Sequence, residues 1–294
     1  MQAESTDVHG GEGRDGSARA ARPNGRSPRW SLDDIPYHEI DAGRLAAEAR
    51  LFQLVAAASF VEITSEIYTR NLVAYYRGDR EVIDWLEDGW QREEVQHGAA
   101  LRRYVETAWP SFDWERAYTN FLAEYSQLCA MERLAESRAL EMVARCVVET
   151  GTSSFYRMLS DAAPEPVLRK LALAISTDEV DHYKHFYRFF RRYAAREGTG
   201  RAAVLRTLVR RMVEVDAEDA ACAFKHVHLV AYPALPYDAD AYAAFRGHIR
   251  RMAGVHYRYD MAVKMLLKPL RLAGPAQRVV VPAATGLTRL FLFR

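Results

Sequence analysis

The chain contains little that would indicate a disulfide-bonded, zinc-binding or nucleic-acid-binding protein. Its three cysteines, Cys129, Cys146 and Cys222, are scattered and form no CxxC pair, which argues against a disulfide framework and a structural zinc site and indicates reduced thiols. The 40 basic residues are balanced by 39 acidic residues, so no overall positive field favours nucleic acid. There is no apolar segment near the start and no uninterrupted apolar run of membrane-spanning length. We therefore expect a cytoplasmic protein without a signal peptide or a membrane span.

Strand signals are also nearly absent, and segments with helical periodicity take their place. The one β-branched run, Val279–Val281, lies in a C-terminal stretch that proline and glycine interrupt. Short breaks such as Gly78-Asp79 and Pro164-Glu165-Pro166 predict that neighbouring helices are antiparallel. The fold class predicted is all-α. Long helical segments are predicted at about 44–76, 80–107, 132–161 and 165–196, with a shorter one at about 113–127 and two more at about 201–230 and 239–272.

Composition divides the chain into three parts. Residues 1–28 have almost no large apolar side chains and cannot bury enough surface to offset the entropy of folding, so we expect a disordered tail. Residues 29–274 are expected to form one helical domain with a single large core. Residues 275–294 are expected to be a C-terminal tail that packs within the protein or its dimer.

One short pattern occurs twice in the predicted helices. Glu94 precedes His97 by three positions in the second long helix, Glu179 precedes His182 in the same way in the fourth, and no other histidine has a glutamate at this spacing. In a helix, this spacing places both side chains on one face. A single pair is weak evidence, because it more often belongs to a solvated face. Two pairs in equivalent helices predict that two carboxylates and two imidazoles point toward a shared centre.

Two further glutamates stand in apolar surroundings in the remaining long helices. Glu149 lies in an apolar stretch of the third helix, and Glu62 follows Ala-Ser-Phe-Val in the first. Each precedes its Glu/His pair by a similar number of residues, which places it opposite that pair across a helical hairpin. A buried ion pair remains the alternative role for Glu149, and Glu66 remains the alternative to Glu62. The predicted metal ligands are Glu62, Glu94, His97, Glu149, Glu179 and His182.

Four carboxylates and two imidazoles are the ligand set of a dinuclear metal site inside a four-helix bundle. Oxygen and nitrogen donors favour iron or manganese over copper or structural zinc, for which thiolates would be expected. We therefore expect two iron ions, with manganese as the alternative metal. Glu93 and Asp178 directly precede the motif glutamates, and either is a candidate to accept the distal N–H of a ligand histidine. Asp178 is equally compatible with a position on the protein surface.

The motifs resemble those of the soluble acyl-carrier-protein (acyl-ACP) desaturases, a branch of the ferritin-like di-iron superfamily, over roughly residues 45–270. That family carries E-E-x-R-H-G in its second bundle helix and D-E-x-R-H-E in its fourth, and the segments at these places here are Glu93–Gly98 and Asp178–Tyr183. The family also has a threonine three residues after its third-helix glutamate and a tyrosine six residues after its first-helix glutamate. Thr152 and Tyr68 stand at these offsets, which favours Glu62 as the first-helix ligand.

The resemblance implies a ferritin-like four-helix bundle with additional C-terminal helices. It implies an iron-dependent oxidoreductase of fatty acid metabolism that removes hydrogen from an unactivated C–H bond of an acyl substrate. O2, an external ferredoxin-like electron donor and an acyl carrier protein would be its partners, and a homodimer is expected. The resemblance gives Thr152 a catalytic role on the oxygen-binding side of the metals, as a hydrogen-bond donor or proton relay.

The chain departs from the family pattern at three motif positions. The arginine before each motif histidine is replaced by Gln96 and Asp181, and Tyr183 stands in place of an acid. These departures leave a di-iron hydroxylase or N-oxygenase of a small metabolite as the second prediction, and ferritin-like iron storage or detoxification as the third. The arginine-rich segments Arg188–Arg192 and Arg206–Arg211 are candidates for docking an acidic carrier protein, with a solvated helix face as the alternative.

Overall fold

The computed structural model describes residues 29–127, 134–214 and 218–292, and within these ranges it contains helices, turns and loops but no strand. The all-α prediction is confirmed. The predicted disordered tail, residues 1–28, and Cys129 lie outside the described residues. The α-helices are α1 (Ala42–Leu45), α2 (Ala49–Ile63), α3 (Ser65–Tyr75), α4 (Arg80–Trp85), α5 (Gln91–Ala108), α6 (Trp114–Tyr125), α7 (Arg138–Ala162), α8 (Pro166–Glu197), α9 (Arg201–Glu214), α10 (Glu218–Ala231), α11 (Ala239–His256), α12 (Tyr259–Leu267) and α13 (Gly274–Leu292).

The first two predicted long helices are each interrupted close to the motif residues. α2 and α3 meet at Thr64, whose hydroxyl donates to the carbonyl of Phe60 at 2.6 Å. Such a bond from a side chain to the preceding turn competes with the backbone ladder and bends helices. α4 continues into α5 through a π-helical turn, Leu86–Trp90, which ends just before the first Glu/His pair. Irregular turns of this kind often mark functional sites.

α7 and α8 form the longest hairpin, and the Pro-Glu-Pro break between them determines where α8 begins. The Glu165 carboxylate accepts hydrogen bonds from the backbone N–H groups of Val167 and Leu168, both at 2.8 Å. It also accepts the hydroxyl of Tyr104 on α5 at 2.9 Å. The cap therefore satisfies the free N–H groups at the start of α8 and ties that end to α5.

The apolar side chains form two buried clusters with a polar layer between them. Trp90, in the turn just before α5, belongs to one cluster and Leu101 of α5 to the other, and along α8 the same division separates Phe186 from Ile175. The residues between these positions are the ones that carry the two Glu/His pairs. The fold therefore buries the motif residues in the middle of the molecule.

The C-terminal third differs from the sequence prediction in its details. The stretch 239–272 is α11 followed by α12 and a 3₁₀ turn, Lys268–Leu270. The predicted C-terminal tail contains α13, on which Val281 is buried while Val279 is 71% exposed. By length and composition alone, the stretch Ala49–Tyr75 would be long and apolar enough to cross a membrane, but 67% of its apolar window is buried inside the protein, as in a core helix.

Candidate metal centre

Six buried side chains from four helices meet in the polar layer. They are the six residues that the sequence singles out, and each is at most 8% exposed. Glu66, the alternative in the first helix, is exposed in the first turn of α3. The structure therefore brings Glu62, and not Glu66, to the other carboxylates. The contributions are Glu62 from α2, Glu94 and His97 from α5, Glu149 from α7, and Glu179 and His182 from α8.

The donor atoms form two overlapping groups. Within each group, one donor atom from every residue lies within 4.8 Å of the others. Glu94 and Glu179 belong to both groups. Each group is completed by one further glutamate and one histidine, as in a dinuclear site. The groups are Glu62, Glu94, His97 and Glu179, and Glu94, Glu149, Glu179 and His182.

Both imidazoles direct Nδ1 toward the interior of this cluster. His97 Nδ1 lies 3.1 Å from Glu179 Oε1, and His182 Nδ1 lies 3.0 Å from Glu94 Oε1. None of these four atoms makes a hydrogen bond of acceptable angle within the described parts of the chain. Leaving buried polar atoms unsatisfied is costly. A cation between them would satisfy all four, so the residues present fit a bound metal.

The Nε2 atoms of the two histidines face away from the cluster. Each contacts the acid that precedes the motif glutamate of the other Glu/His pair. His97 Nε2 lies 3.2 Å from Asp178 Oδ2, and His182 Nε2 lies 2.9 Å from Glu93 Oε2. The prediction that these acids contact the distal nitrogens is confirmed. Asp178 also accepts the indole N–H of Trp30 at 2.7 Å, and the Trp30 ring stacks on His97. An acceptor at Nε2 favours the tautomer in which Nδ1 is free to bind a metal.

Two hydroxyl groups on α7 donate to cluster carboxylates. Thr152 Oγ1 lies 2.8 Å from Glu179 Oε2, and the Tyr156 hydroxyl lies 2.6 Å from Glu62 Oε1. The motif resemblance singles out Thr152, whereas it assigns Tyr156 no role. Tyr156 follows Glu149 by two helical turns and lies on the same face, so helix periodicity was the signal that would have identified it.

In the absence of a cation, the cluster holds more negative charge than its burial tolerates. Burial, together with the neighbouring Glu179, raises the pKa values of Glu62 and Glu94 and raises the pKa of Glu149 to about 8. Burial alone would lower the pKa of His97, but the neighbouring carboxylates, Asp178 first and Glu179 next, raise it to about 10. Burial also opposes ionisation of Glu179, yet the two histidines hold its pKa well below the usual value. Protons therefore compensate charge that divalent cations would compensate when bound.

The arginine-rich segment of α8 is largely engaged within the protein. Arg188 lies 3.1 Å from Glu81, and Arg192 forms ion pairs with Asp79 and Glu81. Two of the three arginines predicted to dock an acidic partner are therefore already neutralised by α4 and the turn before it. Arg191 points to a separate pocket described below.

A third group of ligand-type side chains lies between α6 and α10 and differs from the buried cluster. Glu124 lies 2.9 Å from His226 Nε2 and 2.7 Å from Lys225 Nζ, and Cys222 is close to both Glu124 and His226. Because the Lys225 ammonium already neutralises Glu124, this group is an ion pair with a hydrogen-bonded histidine.

Comparison with known proteins finds no family model that matches the chain and no curated protein that matches its sequence.

Proposed function

We propose that this chain is a ferritin-like di-iron oxidoreductase that uses O2 and resembles the acyl-ACP desaturases in its chemistry. The observation that carries the proposal is the convergence of six buried ligand-type side chains, with four inward-facing donor atoms that have no hydrogen-bond partner among the described residues. Two shared carboxylates between two Glu/His pairs suit two divalent cations. Hard oxygen and imidazole donors suit iron, or manganese as the alternative.

The chain's own residues would hold the metals and keep water away. Bound iron would supply the redox chemistry with O2 that amino-acid side chains cannot supply. Glu62 with His97 would hold one ion, Glu149 with His182 the other, and Glu94 and Glu179 would lie between them. Trp30 covers His97 on the outer side, and the two apolar clusters close the layer above and below.

Thr152 is the residue best placed to handle protons. Its hydroxyl donates to Glu179 from a partly buried position on α7, so it lies at the edge of the cluster and not inside the core. A hydroxyl in this position can relay a proton between a carboxylate and a group on the substrate side. Burial raises the pKa of Tyr156 well above its usual value, so Tyr156 remains a protonated donor that positions Glu62.

The departures from the desaturase motifs lie on the outer side of the site. Gln96 donates to the carbonyl of Trp30 at 3.2 Å, and Asp181 pairs with Arg29 and Lys184. Both side chains therefore attach the segment around Trp30 to α5 and α8, and neither belongs to the cluster. An acyl chain on a carrier protein is the substrate that the motifs favour, and an external ferredoxin-like protein is the electron donor that such a reaction needs.

The same departures favour a second candidate, a hydroxylase or N-oxygenase of a small metabolite, because they alter the surroundings of the metals without altering the ligands. Iron storage is the third candidate. Measuring the size of the assembly distinguishes this candidate from the other two, because storage proteins of the ferritin kind form large cages.

The test begins with an anaerobic Fe(II) titration of the chelator-treated protein, followed by metal analysis. We expect saturation near two iron ions per chain, and saturation at zero or one in folded protein would contradict the metal centre. The reduced, loaded protein is then given acyl-carrier thioesters, O2 and a ferredoxin system. Loss of two hydrogens in mass spectrometry supports the desaturase, and gain of one oxygen supports the hydroxylase. Failure to bind any acyl carrier at low salt would remove the desaturase assignment.

A further inference from the structure

A cationic pocket opens beside α8, on a different face of this helix from Glu179 and His182. Its volume is about 610 Å³, and α8, α12, the turn at Lys268–Leu270 and the start of α13 form its walls. Of the twelve described residues that line it, five are cationic and none is acidic, so the pocket concentrates positive potential. The cationic residues are Lys184, Arg191, Lys264, Lys268 and Arg271.

Three of these cations have no acidic partner among the residues that the structure describes. Lys184 pairs with Asp181 at 2.8 Å and Lys264 with Asp260 at 3.5 Å. The other three, Arg191, Lys268 and Arg271, form no ion pair with any acid in the described parts of the chain. Three uncompensated positive charges around one concave surface repel each other, and an anion placed among them would relieve that repulsion.

The aromatic wall of the pocket positions Lys268. The rings of Tyr183 and Tyr187 lie nearly parallel, with 6.1 Å between their centroids. Lys268 Nζ lies 4.9 Å from the centre of the Tyr187 ring and 5.9 Å from that of Tyr183. The hydroxyl of Tyr183 donates to the carbonyl of Met265 at 2.6 Å and so joins α8 to α12. Cation–π contacts of this kind hold an ammonium group in place without neutralising its charge.

The backbone presents Arg271 in an uncommon conformation. Its φ of 48° is left-handed, and it is the one non-glycine residue with positive φ in the described ranges. The carbonyl of Arg271 accepts a hydrogen bond from the guanidinium of Arg201 at 2.9 Å, which attaches this turn to α9. A left-handed conformation costs free energy at a residue with a Cβ. The fold therefore keeps an unfavourable backbone conformation at a residue that lines the pocket.

We propose that this pocket binds a small molecule that carries a phosphate group. Guanidinium and ammonium groups that converge from different elements are the donors that phosphate oxygens prefer. The phosphate would lie among Arg191, Lys268 and Arg271, and the rest of the ligand would lie against the stacked tyrosines. The volume is that of small-molecule sites, and a concave wall suits a soluble ligand better than a flat lipid surface. A second copy of the same cationic face would be repelled.

The test is calorimetric titration of metal-free protein with inorganic phosphate and with pyrophosphate, at constant ionic strength set with chloride. Removing the metal prevents phosphate from coordinating it, so the result is independent of the proposed di-iron centre. We expect saturable binding, tighter for pyrophosphate. Arg191→Gln combined with Lys268→Gln should weaken it by about tenfold or more, since two of the three cations that would surround the phosphate are lost.

The matched control is Arg250→Gln combined with Arg251→Gln, which removes the same charge from exposed positions on α11. This variant should bind pyrophosphate with an affinity within about twofold of that of the parent protein, because long-range charge effects are screened in salt. Circular dichroism would verify that both double variants are folded. Absence of saturable binding to the parent protein, or an equal loss in the control, overturns the proposal. Binding to phosphatidylglycerol vesicles that pyrophosphate does not displace would also overturn it and would identify a membrane contact.

Discussion

Glu62 and Glu66 stand one helical turn apart, but only Glu62 is buried among the other cluster carboxylates. Its carboxylate accepts the Tyr156 hydroxyl and lies 3.9 Å from His97 Nδ1. We expect Glu62→Gln to reduce the iron content from about two ions per chain to one or fewer, because a terminal carboxylate of one site is lost. Glu66→Gln, the matched control, should retain the parent content. Anaerobic Fe(II) titration with metal analysis measures both, and the reverse result would assign the ligand to Glu66.

The crosswise bonds from Asp178 and Glu93 to the histidines provide a second test at single residues. Asp178→Asn and Glu93→Gln keep the shape of each side chain but remove the charge that orients the imidazole. We expect each to weaken metal affinity by about 10-fold to 100-fold, as is usual when the outer partner of a ligand histidine is lost. Competition with a chelator for Fe(II) measures the affinity. Glu87→Gln, at an exposed position in the π-helical turn, should not change it. Unchanged affinity in the first two variants would show that these bonds only support packing.

At the scale of helices, α2 and α5 approach each other closely where Gly98 faces Ile63. A Cβ at position 98 would contact the backbone nitrogen of Ile63 and lie 2.6 Å from its Cα, so no side-chain movement would relieve the overlap. Since Gly98 follows His97, separating the helices would also displace a cluster residue. We expect Gly98→Ala to destabilise the protein by about 1–3 kcal/mol and to lower iron binding. Denaturant unfolding and iron titration measure the two effects.

Gly151→Ala is the matched control for that substitution. Gly151 is exposed on α7, and nothing lies within 4 Å of an added Cβ. Alanine in a helix interior is favoured over glycine by about 0.5–1 kcal/mol, so this variant should be slightly more stable than the parent. If Gly98→Ala were equally harmless, the close approach of α2 and α5 would be contradicted.

The sequence predicts those features of the helices that residues close together in the chain determine, and it does not predict those that depend on tertiary contacts. The spacing of Glu94 and His97 predicts a shared face because helix geometry is local, and the structure places both side chains in the cluster. The break at Thr64 leaves the apolar pattern intact on both sides, so periodicity predicts one helix where there are two. α13 contains β-branched residues and Pro282, which predict against a helix, yet the backbone is helical there. The contact between Trp30 and Asp178 depends on the tertiary path of the chain, and no local pattern indicates it.

At the scale of the whole molecule, two apolar clusters depend on a charged layer between them. Within that layer, burial raises the pKa values of three glutamates, so the folded protein without metal must carry protons there or tolerate repulsion. Both apolar clusters include residues of α8, and they reach the other helix that carries a Glu/His pair at Leu101 of α5 and at Trp90 in the turn that leads into α5. A change in the charge of the layer therefore affects the stability of the molecule as a whole.

Metal binding should accordingly stabilise the entire fold. A ligand that binds only the folded state at about 100 times its dissociation constant adds about 2.7 kcal/mol, and for a large domain about 1 kcal/mol shifts the unfolding temperature by roughly 2–4 °C. We expect Mn(II), which avoids oxidation during the scan, to raise the unfolding temperature by roughly 5–10 °C, and a chelator to reverse the increase. Differential scanning calorimetry measures the shift. Glu62→Gln should show a smaller increase in unfolding temperature with Mn(II). Ca(II) should have little effect on the parent protein, because it requires more oxygen ligands than this histidine-containing layer provides. An equal increase in unfolding temperature with Ca(II), or no increase with Mn(II), would show that the buried layer is a proton-sharing structural network and not a metal centre.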